Sequence, residues 1–151
     1  LIEYNVRMGD PECQVILSRL KTDFLKIIQF TIKDKLKDLK IHWKKKKCMT
    51  IVLCSKGYPG KYIKNRYIKN LNKLKLKKDE FIYHAGTKFK NNKYFSNGGR
   101  VLNVTSLGSD FLDIRKKILK ILKKLNILIG KKLIIIIEKL IGYWHAMLRQ
   151  V

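Results

Sequence analysis

Leu1-Ile2-Glu3-Tyr4-Asn5-Val6-Arg7-Met8-Gly9-Asp10-Pro11-Glu12-Cys13-Gln14 reads as a strand that runs through a tight turn into a helix. Side chains alternate across a strand, so Glu3, Asn5 and Arg7 share one face while Ile2, Tyr4, Val6 and Met8 share the other. One face is apolar and the other can do chemistry. A carboxylate and an amide oxygen on one strand face are hard donors, of the kind Mg²⁺ takes when it keeps waters and phosphate oxygens in its shell. Arg7 extends the row with a planar guanidinium able to grip a phosphate or carboxylate through two nitrogens. Gly9 and Asp10 form the turn. Asp10 is predicted to cap the helix, Pro11 to take its first position and Glu12 to sit in its first turn. A helix start attracts anions, and this one would face whatever anionic group the strand residues hold. The same pattern also fits a half-exposed strand with a polar outer face, followed by an ordinary capped helix.

Downstream, Pro11 to about Leu20 reads as that helix, with Val15, Ile16 and Leu20 available for a core. Thr22 is predicted to cap a second helix in which Leu25, Ile28 and Ile32 recur at helical spacing. Cys48 to Cys54 is a short, apolar, partly β-branched strand that stops at the turn Gly57-Tyr58-Pro59-Gly60. Phe81-Ile82-Tyr83-His84 is a further strand. Asn91-Asn92 marks a hairpin connection to Tyr94-Phe95, and Arg100 to Thr105 is a strand after Asn97-Gly98-Gly99. Ser109 is predicted to cap a helix whose apolar face, Phe111, Ile114, Ile118, Ile121, Leu122 and Leu125, opposes a row of lysines. A basic amphipathic helix can lie on a membrane, but this one follows strands that need a cover, so core packing is expected. Leu133 to Ile137 is too short to span a bilayer and fits a terminal strand. The fold class is therefore α+β.

The 151 residues carry a formal charge of +24, and the pI is about 10.1. Such a balance ordinarily points to nucleic acid or an anionic membrane. Here Lys, Ile, Asn and Tyr, which share A/T-rich codons, crowd the chain together. Runs such as Lys44 to Lys47 are therefore read as loops and solvated faces, with no specific nucleic-acid or membrane partner expected. Cys13, Cys48 and Cys54 are odd in number without CxxC spacing, as expected of reduced packing residues in a cytoplasmic protein. His42, His84 and His145 show no ligand spacing for zinc. His84, on an aromatic strand, reads as a core or interface histidine more readily than as an acid or base. The chain starts inside a strand and without Met, so an N-terminal part is expected upstream. No signal peptide is visible.

The opening stretch, Glu3 to Gln14, resembles the end of the ATP-grasp domain in phosphoribosylamine-glycine ligases, also called glycinamide ribonucleotide synthetases. Three later blocks resemble the C-terminal domain of the same family in order and spacing. They are Gly57-Tyr58-Pro59-Gly60, His84-Ala85-Gly86-Thr87, and Asn97-Gly98-Gly99-Arg100-Val101-Leu102 running on to Val104-Thr105-Ser106-Leu107-Gly108. Lys56 departs from the glycine usual before the first of these, and Lys139 to Trp144 only loosely matches the family's terminal basic-Asp-Ile-Gly-Trp signature.

The resemblance implies the end of an ATP-grasp domain at 1–42, followed at 43–151 by a small antiparallel β-rich domain closed by a helix. It implies a carboxylate-amine ligase that uses ATP, glycine and phosphoribosylamine in purine synthesis and releases ADP. It assigns Glu3 and Asn5 to Mg²⁺ (or Mn²⁺), and it places Arg7, with Gly9 and Asp10, beside the acyl phosphate and substrate. Arg100 is a further substrate-binding candidate, because an arginine directly after two glycines can reach an anion. A monomer, inactive without its N-terminal domains, is expected. Two alternatives stand beside this reading: another ATP-grasp ligase of the biotin-carboxylase type, and a basic RNA-binding module. The second would require the lysines to converge on one surface with exposed aromatics.

Overall fold

The computed structural model describes residues 7–125 and, as backbone, the strand at Leu133–Ile137. In chain order the elements are α1 (Glu12–Arg19), α2 (Phe24–Ile32), β1 (Lys47–Cys54), β2 (Glu80–His84), β3 (Thr87–Lys90), β4 (Lys93–Ser96), β5 (Arg100–Gly108), α3 (Phe111–Leu125) and β6 (Leu133–Ile137). Four strands form one antiparallel sheet in the order β2-β5-β1-β6, and β3 pairs with β4 in a separate ribbon.

The two central strands explain why this sequence makes a sheet. β1 and β5 are short runs rich in β-branched and aliphatic residues, and each is buried along nearly its whole length. Their register sets Met49, Ile51 and Leu53 opposite Ser106, Val104 and Leu102, all on one face. Against that face pack Ile114, Ile118, Ile121 and Leu125 of α3, the stripe that the helical spacing predicted. The basic amphipathic helix is therefore a core helix. Each fully buried aliphatic chain in it contributes about 1.5–3 kcal/mol.

The opposite face carries Cys48, Thr50, Asn103, Thr105 and Leu107, and α1 lies over its lower part, with Val15 against Cys48 and Leu107. This face is more polar. Thr105 donates to the Thr50 hydroxyl at 2.7 Å, which satisfies one buried hydroxyl with another. The end of α1 is tied to the segment before β1. Buried Arg19 donates through Nε to the Lys46 carbonyl at 2.9 Å, Lys44 Nζ donates to the Ser18 carbonyl at 2.8 Å, and the Lys44 amide donates to the Arg19 carbonyl at 2.8 Å. The hairpin between β3 and β4 turns at Asn91 and Asn92, whose φ angles of 50° and 57° match the primed turn that suits a two-residue connection.

Several local expectations are corrected. Pro11, not Asp10, occupies the cap position of α1, with no side-chain cap bond. Asp23, not Thr22, caps α2 by accepting from the Lys26 amide at 3.2 Å, while the Thr22 hydroxyl accepts from the His42 amide at 2.7 Å. Asp110, not Ser109, accepts from the Leu112 and Asp113 amides at the start of α3. The stripe of α2 does not join the core among the described residues: Leu25 is 62% and Ile32 80% exposed. His84 is exposed rather than buried, with Nδ1 2.7 Å from the Thr87 hydroxyl and its ring tilted against Tyr94.

Candidate active site

The turn at Gly9-Asp10 is built by local bonds before anything distant reaches it. The Cys13 amide donates to the Gly9 carbonyl at 2.9 Å, and the Gly9 amide donates to Glu12 Oε2 at 3.3 Å. Gln14, one helical turn beyond Asp10, donates from Nε2 to Asp10 Oδ1 at 2.8 Å. The carboxylate is thus tied to its own helix before β5 reaches it.

Three sequence blocks meet it there. Gly86 sits against Arg100 and Gly98 so closely that a Cβ on it would lie 2.4 Å from the Arg100 carbonyl oxygen and 2.8 Å from the Gly98 Cα. Gly99 is packed under Tyr58, where a Cβ would come within 2.3 Å of the ring. Ser55, just after β1, closes the group by donating from its hydroxyl to the Gly98 carbonyl and from its amide to the Gly99 carbonyl, both at 2.7 Å. Glycine is needed at these positions because backbone and ring occupy the space of a side chain. The result is a tight knot from which Arg100 projects.

The Arg100 guanidinium is held on two sides. Nε donates to the Tyr58 hydroxyl at 3.2 Å. Nη1 donates to the Asp10 carbonyl oxygen and, at 3.2 Å, to Asp10 Oδ2. Nη2 makes no hydrogen bond to a described residue. The Tyr58 hydroxyl and then the Asp10 carboxylate hold the Arg100 pKa above its ordinary value, so the group is always a cation. On the far side of the carboxylate, Asn103 donates from Nδ2 to Asp10 Oδ1 at 3.0 Å.

Among the predicted site residues, the structure therefore brings Gly9, Asp10 and Arg100 together and leaves Arg7 exposed at the start of the same turn. Glu3 and Asn5 lie outside the described residues. Among the described residues no group of three or more His, Cys, Asp and Glu side chains is placed to hold a metal ion. Reasoning from sequence missed Gln14, Tyr58 and Asn103 as members of the cluster. A signal for Asn103 was present: it is a lone amide in a strand of apolar and hydroxyl residues, and a buried amide requires a partner.

The lysines that make side-chain contacts do so on several different elements. Lys44 bonds the Ser18 carbonyl, Lys46 pairs with Asp79 at 2.6 Å, and Lys47 stands 5.3 Å from the Phe111 ring centroid. Lys26, Lys64 and Lys93 likewise cover Phe30, Tyr62 and Tyr67. These four rings are thus dispersed over separate segments, each with an ammonium over it, while Phe24 and Phe89 stand exposed on α2 and β3. Among the described residues, no helix is long and apolar enough to cross a membrane.

Residues 48–130 match the family model described as phosphoribosylglycinamide synthetase, C domain. The chain belongs to this family. It is 44% identical over 126 residues to the phosphoribosylamine--glycine ligase of Caldanaerobacter subterraneus, covering 83% of this chain and 30% of that protein. To the enzyme of the same name from Fusobacterium nucleatum it is 46% identical over 108 residues, which is 71% of this chain and 25% of the relative. The crystal structure of phosphoribosylamine--glycine ligase from Thermotoga maritima superposes with a TM-score of 0.60 at 26% identity, covering 91% of this chain and 31% of that one. The chain thus spans under a third of the length of these relatives. The Gly-Tyr-Pro-Gly, His-Ala-Gly-Thr and Asn-Gly-Gly-Arg blocks all fall inside the matched span, and the knot of Gly86, Gly98, Gly99 and Tyr58 is a feature of this phosphoribosylglycinamide synthetase C domain. Asp10 and its turn precede that span, so the Asp10–Arg100 pair joins the domain to the segment before it.

Proposed function

We propose that this chain serves as the C-terminal part of a phosphoribosylamine-glycine ligase, an ADP-forming carboxylate-amine ligase, with 1–42 ending the ATP-grasp domain and 43–151 forming the C domain. In that reaction ATP phosphorylates the glycine carboxylate. The amine of phosphoribosylamine then attacks the glycyl phosphate, expelling phosphate and giving glycinamide ribonucleotide. The observation that supports this reading best is the meeting of the Asp10 turn with Arg100, two segments that are far apart in sequence and each resemble the ligase family through motifs of their own.

Arg7 and Arg100 supply the fixed positive charge that an acyl phosphate or a ribose phosphate requires, and Gly9 and Asp10 set the position of the loop between them. Glu3 and Asn5 are the hard-oxygen donor set that suits Mg²⁺ or Mn²⁺. Bound there, the ion would neutralise charge developing on the transferring phosphates. The 151-residue chain alone is expected to have no turnover, because the ATP-gripping and substrate domains lie outside it. We place the enzyme in the cytoplasm, as a monomer.

The test is ADP release by the whole ligase carrying this chain, measured with and without glycine and phosphoribosylamine. Glu3→Gln should lower it by at least about 100-fold, since metal stabilisation of phosphoryl transfer is worth several kcal/mol. A folded whole enzyme whose ADP release ignores either substrate would refute the assignment.

A further inference from the structure

The pair Asp10–Arg100 is held far more elaborately than its stability value warrants. The Asp10 side chain is 41% and the Arg100 side chain 36% exposed, and an ion pair so open to water contributes about 0–1 kcal/mol. Yet three other side chains, Gln14, Tyr58 and Asn103, converge on it. The Tyr58 ring packs directly against Gly99 and meets Tyr62 edge-on at 6.3 Å, so its hydroxyl is delivered to Arg100 Nε from a fixed direction. A guanidinium bonded through Nε on one edge and Nη1 on another cannot turn about its own axis, and the direction of Nη2 follows.

Asn103 makes the same case from the other end. It is fully buried in β5 opposite Val52, where an aliphatic or threonine side chain would suit the sheet. Its Nδ2 reaches Asp10, but its Oδ1 has no partner among the described residues. A buried polar oxygen left unpaired is costly. Asparagine at this position is therefore better explained by what its amide does to Asp10 than by what it adds to the core. With Gln14 and Asn103 both on Oδ1, the carboxylate is left to turn Oδ2 to Arg100.

We propose that Tyr58 and Asn103 are positioning residues of the ligase site. They act through Arg100 and Asp10, fixing the turn that follows Arg7 and aiming Nη2 of Arg100 at a phosphate-bearing substrate group. The inference rests on the ligase reading. Its chemistry is that of a phosphate monoester or acyl phosphate met by a pre-oriented guanidinium nitrogen, with no reorganisation needed when the anion arrives.

Tyr58→Phe keeps the ring over Gly99 and removes only the hydroxyl. In the whole ligase it should raise KM for phosphoribosylamine by about 5- to 10-fold, within the range expected from loss of one ordinary, partly exposed hydrogen bond, with kcat changed less than about twofold. A merely structural tyrosine would lower the yield of folded enzyme without this split. Tyr58→Phe and Asp10→Asn act on one guanidinium, so the double variant should be no worse than about the poorer single. A second measurement needs no turnover: the Arg100 Nε–H of the 151-residue chain should be slow to exchange with solvent, and fast in Tyr58→Phe. Turnover by wild type with unchanged Tyr58→Phe kinetics, or multiplying effects in the double variant, would overturn the proposal alone. Wild-type enzyme without glycine-dependent turnover would overturn the ligase reading and this proposal with it.

Discussion

Gly86→Ala puts the packing of the site to its most direct test. The added Cβ would sit 2.4 Å from the Arg100 carbonyl oxygen and 2.8 Å from the Gly98 Cα, against backbone on both sides. Relief to ordinary contact requires a relative movement of roughly 0.8–1 Å, because oxygen and carbon in contact lie well beyond 3 Å. Gly86 cannot move that far freely. Its amide and that of Ala85 donate to the Val101 carbonyl at 3.1 and 3.0 Å, while its carbonyl accepts from the Asn97 and Gly98 amides at 2.8 and 3.1 Å. Displacing it by that amount stretches about two of these bonds past useful length, at about 1 kcal/mol each. Steric strain adds to this, and the stiffer unfolded chain of alanine offsets part of it by about 0.4–1 kcal/mol.

The net expectation is a loss of about 2 kcal/mol, within the range for overpacked sites. For a chain of this size that lowers Tm by about 4–8 °C, and it moves the urea midpoint by about 1 M at a typical slope of ~2 kcal/mol/M. Gly60→Ala is the control: its Cβ would meet only the Gly57 carbonyl oxygen, at 3.4 Å. It should fall within about 0.5 kcal/mol of wild type. If Gly86→Ala unfolds with Gly60→Ala and not well below it, the close approach of the two glycine blocks is wrong. The geometry of Arg100 derived from it then falls as well.

Two further outcomes bear on the core and on a surface charge. Ile118→Ala should cost about 2–5 kcal/mol by urea unfolding, since the side chain is fully buried, whereas Ile32→Ala, at 80% exposure on α2, should change stability by less than about 0.5 kcal/mol. Equal losses would show that α2 is covered in this chain. Asp79 accepts a hydrogen bond from the Lys46 ammonium, the largest of the causes that hold its pKa below the ordinary 3.8. A folded pKa below the unfolded one adds stability that is present above the unfolded value and is lost as pH falls through the folded one. Asp79→Asn should therefore be less stable than wild type near pH 6, by a few tenths to about 1 kcal/mol for so exposed a pair, and the gap should narrow toward pH 3 and shrink in salt. A gap in Tm that is the same at both pH values would contradict this.

The sheet and its covering helix were legible because burial on one face writes itself into spacing. β1 and β5 read as apolar, β-branched runs, and α3 as a stripe at helical intervals, with the buried set Ile114, Ile118, Ile121 and Leu125 lying where that stripe put it. Helix starts were placed one residue off, each for a physical reason. Thr22 is a competent cap, but its hydroxyl is taken by the His42 amide, so the task falls to Asp23. Asp10 is a competent cap too, and its oxygens are taken by Gln14, Asn103 and Arg100. A propensity for capping decides the outcome only when no distant donor wants the same oxygen, and distant donors are invisible along the chain. The stripe of α2 shows the converse limit: periodicity says that a face is suited to burial without saying what buries it.

The same limit explains why the site was legible as residues but not as an arrangement. Arg100 and Asp10 were each singled out as anion or turn residues from local wording, and neither wording contains the other. What joins them is the approach of backbone to backbone at Gly86 and Gly98 and of ring to backbone at Tyr58 and Gly99. Read singly, those glycines are loop punctuation, compatible with any turn. Placed in one structure they leave no room for a side chain, and the absence of three side chains lets an arginine from the start of β5 reach a turn ahead of α1. The carboxylate there is consequently half of a fixed ion pair and not an open ligand. The positive end, with Nη2 still unbonded among the described residues, is the part of the pair that the proposal above assigns to a substrate anion.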